Sequence, residues 1–88
     1  MTSSAKELKE LLEEAKFYIL NQNYEKAEQI LKSLLKESPD DKEILYNLGL
    51  LYELTHDWGK AKDFFEKVLN LDPDHEQAKE HLERVTKL

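Results

Sequence analysis

The sequence contains no cysteine, so neither a disulfide framework nor a thiolate metal site can be built from it, and the absence fits a reducing compartment. Glycine occurs only at Gly49 and Gly59, which leaves no glycine-rich loop to wrap a phosphate. Positive charge is in deficit. Lys plus Arg number 13 against 19 Asp plus Glu, a formal net charge of −6, which disfavours nucleic-acid backbones and anionic membrane surfaces as partners. The longest apolar run, Leu48 to Tyr52, is far below the roughly 20 residues of a membrane-spanning helix. Met1-Thr2-Ser3-Ser4 leads directly into Lys6 and Glu7, with no apolar signal region between them. With 88 residues and 10.4 kDa, the expectation is one soluble, cytoplasmic domain, residues 1–88, near the size at which burial is only about 60% of the unfolded surface.

What the chain does have is helical periodicity with clear punctuation. Ser4-Ala5-Lys6-Glu7 has the form of a capping box. Leu8, Leu11, Leu12, Ala15, Tyr18 and Ile19 then recur at three- and four-residue steps, predicting an amphipathic helix that runs to about Leu20. Asn21-Gln22-Asn23 breaks it, because asparagine tolerates left-handed backbone and competes for local hydrogen bonds. Tyr24, Ala27, Ile30, Leu31, Leu34 and Leu35 form the face of a second helix, stopped by Ser38-Pro39. Asp40 or Asp41 can cap a third helix. Its apolar residues Ile44, Leu45, Tyr46, Leu48, Leu50, Leu51, Tyr52 and Leu54 occupy more than one stripe, as expected of a central helix with neighbours on both sides. Thr55-His56-Asp57 is a turn in which histidine can accept positive φ. A fourth helix is expected over Trp58 to Leu71 and a fifth from His75 or Glu76 to Leu88.

The second half repeats the first. Leu45-x2-Leu48-Gly49-x2-Tyr52, Ala61-x3-Phe65 and Pro73 place a large and small apolar pattern on two helices, with the glycine where another backbone is expected to come close. Shifting the chain by about 34 residues lays Leu11 on Leu45, Ala15 on Gly49, Tyr18 on Tyr52, Tyr24 on Trp58, Ala27 on Ala61, Leu31 on Phe65 and Pro39-Asp40 on Pro73-Asp74. The pattern resembles the tetratricopeptide repeat, with Leu45 in place of the signature tryptophan. The resemblance covers roughly residues 8 to 88. It implies an all-α, right-handed helical-hairpin solenoid of five helices: repeat 1 over about 8–41, repeat 2 over about 42–75 and a capping helix over about 76–88. Glu14, where repeat 2 has Leu48, suits a terminal surface with no preceding neighbour. The residues expected to be buried are Tyr18, Ala27, Leu31, Gly49, Tyr52, Ala61, Phe65 and Leu82.

No residue set for catalysis, metal binding or a cofactor emerges. His75 and His81 are six residues apart and fall on different helix faces, unlike the i, i+4 pair of a zinc helix, so His56, His75 and His81 read as surface histidines. Asp40-Asp41 and Asp72-x-Asp74 lie near helix starts, where capping is their natural role. No hydroxyl nucleophile has an identifiable base. The chain therefore reads as a non-enzyme without cofactors.

The resemblance implies that the first helix of each pair lines a concave ligand face. By register its candidates are Leu12, Lys16, Ile19 and Leu20, then Tyr46, Asn47, Leu50, Glu53 and Leu54, then Gln77, His81 and Arg84. Tyr46 and Leu50 are expected to leave an exposed apolar patch. Lys16 and Arg84 are expected to accept an acidic group, and Glu13, Glu43 and Glu53 to form a repelling rim. The family's carboxylate clamp needs lysine, asparagine, asparagine, lysine and arginine where this chain has Leu12, Lys16, Asn47, Gln77 and His81. Only Asn47 matches, which argues against that activity. Two functions follow: a scaffold that holds an apolar or amphipathic protein segment in the groove, or a self-associating structural module, a homo-oligomer, or an excised or engineered fragment with no ligand of its own.

Overall fold

The computed structural model describes residues 4–87; Met1 to Ser3, and the expected end of the last helix at Leu88, lie outside them. Among the described residues the chain forms five helices and no strand: α1 (Ala5–Leu20), α2 (Tyr24–Glu37), α3 (Lys42–Leu54), α4 (Trp58–Leu71) and α5 (Glu76–Thr86). Capping side chains fix the starts. The Ser4 hydroxyl accepts the Glu7 N–H at 3.2 Å and donates to the Glu7 carboxylate at 3.1 Å, so the capping box closes through two side chains. Asn23 accepts from Lys26, Asp41 from Glu43 and Ile44, and Asp57 from Lys60. α5 starts at Glu76, as expected, but no aspartate caps it. His75 caps it, its Nδ1 accepting the Ala78 N–H at 3.0 Å, while Asp72 ends α4 and its carboxylate accepts from Lys42 Nζ at 3.3 Å.

The two inner turns are copies of one another. Gln22 and His56 take positive φ, 62° and 64°, and the next residue's N–H returns to Tyr18 O or Tyr52 O at 2.8 Å in each turn. In the first turn the left-handed residue is thus the glutamine, with Asn21 and Asn23 serving as the two caps. Connections this short send α2 back along α1 and α4 back along α3.

Burial concentrates on α3, which packs against α4 on one side and α2 on the other. Ile44, Leu45, Leu48, Leu51 and Tyr52 are all buried there. Of the expected core, Ala27, Leu31, Gly49, Tyr52, Ala61 and Phe65 are buried; Tyr18 and Leu82 are only partly so, because α1 and α5 each lie at an end of the array. Gly49 makes room for a ring rather than for another backbone: a Cβ there would lie 2.6 Å from Phe65 Cε1. α5 buries Ala78 and Val85 and packs on α4. Its Lys79, Glu83 and Thr86 stand exposed at the positions of Leu45, Gly49 and Tyr52 one period earlier, a polar outer face of the kind that closes a repeat array. No helix among the described residues is long and apolar enough to cross a membrane.

Candidate functional site: the groove of the first, third and fifth helices

The side chains that share one face of α1, α3 and α5 follow from a common register, since equal positions on successive helices differ by one repeat period. At the starts of α3 and α5, beside Lys16 near the end of α1, this face holds a recess of about 410 Å³ lined by Lys16, Lys42, Glu43, Tyr46, Asn47, His75 and Gln77. Asn47 is buried, and its Nδ2 donates to Glu43 O at 2.8 Å. His75 spends Nδ1 on its cap, so in the neutral ring Nε2 carries the proton. Towards the helix ends the face turns apolar: Leu20 is 82% exposed and Leu54 49%. The groove therefore has a polar end and an apolar end.

Tyr46 is the pivot between α3 and α5. Its ring centroid lies 5.9 Å from Phe65, 5.1 Å from His75 and 5.8 Å from His81, while His81 stacks on Phe65 at 5.3 Å. Burial raises the Tyr46 hydroxyl pKa, with the Glu53 charge adding to it. His81 is no surface histidine. Its Nδ1 lies 2.7 Å from Glu53 Oε1, with Arg84 3.6 Å from the other oxygen. The two histidines that the six-residue spacing set apart thus meet the same tyrosine.

The charges along the groove are matched within the protein. Lys16 reaches both Glu13 and Glu43 at 3.1 Å. The Glu43 hydrogen bond raises its pKa, opposed by partial burial. Lys16 and Arg84 are thus already held by carboxylates, and Glu53 is a link between helices, its side chain 14% exposed, rather than a rim charge. Leu12 is buried core beside Ile44. Ile19, Tyr46 and Leu50 are half-buried against that core, so Tyr46 and Leu50 do not form an open apolar patch. Of the candidates, Lys16, Tyr46, Asn47 and Gln77 meet in the recess, whereas Leu20 and Leu54 present the apolar surface. Lys42 and His75 escaped the register argument because they stand at helix starts, where capping dominates the pattern.

The model of the tetratricopeptide repeat matches residues 18–85. The chain belongs to the tetratricopeptide-repeat family. The five helices of the described residues, with no strand among them and paired through repeated turns, are the helical-hairpin solenoid of that family. Tetratricopeptide repeats are typically non-catalytic and take protein partners, which makes a protein-interaction module the coarse function of this chain. A comparison with individual curated proteins finds no match.

Proposed function

We propose that this tetratricopeptide domain is a non-catalytic cytoplasmic scaffold that holds an amphipathic segment of a partner protein along the groove of α1, α3 and α5. The observation that carries this reading is the graded groove. Exposed Leu20 and Leu54 supply apolar contact at one end, and the recess around Tyr46 supplies donors and acceptors at the other. A segment with two leucine-like anchors fits the apolar end, and its polar terminus fits the recess. Because Lys16 and Lys42 already carry carboxylate partners, an acidic group gains little there. Affinity is driven by burial, roughly micromolar, and weakly dependent on salt.

Selection of random peptides on the immobilised domain tests the proposal, with the Leu20→Ser/Leu54→Ser variant as counter-screen. Both leucines are exposed, so the variant keeps its fold. Amphipathic peptides that bind the parent domain and lose about tenfold or more on the variant are the expected outcome. Peptides that bind both equally sink the proposal.

A further inference from the structure

One register position set has a different fate on each odd-numbered helix. On α3, Ile44, Leu48 and Leu51 are buried, and α2 packs against that helix; on α5, Ala78 and Val85 are buried, and α4 packs against it. The same positions on α1 are Glu10, Glu14 and Phe17, all exposed, and Phe17 is 59% exposed where Leu51 is 1%. Within this one chain the register is covered twice, and each time by a helix.

The chemistry at α1 says which kind of helix fits. Glu10 and Glu14 are one turn apart on the same stripe as Phe17 and, among the described residues, neither has an ion-pair or hydrogen-bond partner from another side chain. Like charges at this spacing repel, and a cation laid across them removes that cost. A face built only to be solvated has no use for an exposed phenylalanine, whose ring here meets Tyr18 edge-on, 5.8 Å between centroids. A second copy is a poor occupant, since a two-fold contact through this face would set Glu10 and Glu14 against themselves.

We infer that the outer face of α1 docks a basic amphipathic helix of a partner protein, with Phe17 as the apolar anchor and Glu10 and Glu14 as the charge partners. Phe17 lies one turn from Leu20 at the groove's edge, whereas Glu10 and Glu14 lie outside the groove, so the charge preference distinguishes this surface from it.

Two synthetic helical peptides test it, equal in length and leucine stripe, one flanked by lysines and the other by glutamates, each titrated into the isotope-labelled domain. The lysine peptide is expected to bind and to move the amide signals of residues 10–17. Binding should weaken steeply with salt, and by about tenfold with Phe17→Ser. Glu10→Lys/Glu14→Lys should reverse the preference towards the glutamate peptide. All three residues are exposed, so the variants should unfold with the parent's midpoint. Any of four results overturns the inference: no binding of the lysine peptide, equal binding of both peptides, shifts confined to residues 46–54, or a Phe17→Ser variant that binds as before. A concentration-dependent mass of the domain alone that Phe17→Ser abolishes also overturns it, by making a second copy the occupant.

Discussion

Replacing Gly49 with alanine sets two well-known effects against each other at one buried point. In an open helix the change stabilises by about 1 kcal/mol, because glycine is the poorer helix former. Here the added Cβ would lie 2.6, 2.8 and 2.9 Å from three atoms of the Phe65 ring. That ring is fully buried and packed against both Tyr46 and His81, which leaves it little room to move, and overpacking of this kind costs about 1–3 kcal/mol. The net expectation for Gly49→Ala is a loss of roughly 0–2 kcal/mol. The first repeat shows the remedy. Ala15 and Leu31 occupy the equivalent positions, both fully buried, so the methyl group absent at Gly49 is matched by the larger ring at Phe65. Phe65→Leu alone should cost roughly 1–2 kcal/mol by leaving unfilled space. The double variant should recover much of both losses, a coupling of roughly 1–3 kcal/mol. Urea denaturation followed by circular dichroism measures all four proteins. Additivity within about 0.5 kcal/mol, or a Gly49→Ala protein more stable by the full helix-propensity difference, would refute the packing argument.

Tyr52 donates its hydroxyl to Glu28 at 2.6 Å, joining α3 to α2, and Tyr52→Phe should cost about 1 kcal/mol, since the carboxylate is partly solvated. Burial first, and then the Glu28 hydrogen bond, raise the Tyr52 pKa, so this contribution is complete below pH of about 10 and lost as pH rises beyond it. The Tyr52 hydrogen bond, with Lys32 assisting, lowers the Glu28 pKa from 4.5, so its contribution is present above that pH and lost as pH falls below it. Both arms of the stability–pH curve should flatten in Tyr52→Phe; an unchanged curve would show that the bond contributes nothing. Truncation after Pro73 should bare the Phe65 side of α4, on which His81 stacks and against which α5 packs, and lower helicity or cause aggregation; a truncated chain that stays monomeric with an unchanged urea midpoint would remove α5 from its capping role.

Helix positions were legible in the sequence because they are set locally. Asn23, Asp41 and Asp57 cap where side-chain chemistry places them, and the positive φ at His56 follows from a turn three residues long. The contacts that shape the groove were less legible. Glu53 meets His81 from 28 positions away, and Tyr46 meets Phe65; a helical wheel gives the face of each residue but not its depth or its opposite number. For this reason register alone assigns Leu12, on the same stripe as Tyr46, to the groove, although it belongs to the core. The sequence does carry one signal of such a contact: the 34-residue shift lays Asn47 on His81, marking a position that carries a hydrogen-bonding side chain in both copies.

A structure of the domain with a peptide selected on it tests the central claim most directly. The expected complex has the peptide along Lys16 to Leu20, Tyr46 to Leu54 and Gln77 to Arg84, its apolar anchors on Leu20 and Leu54 and its polar end in the recess beside Tyr46 and His75. A peptide seated on the outer faces of α2 and α4, with that groove open to solvent, would contradict it.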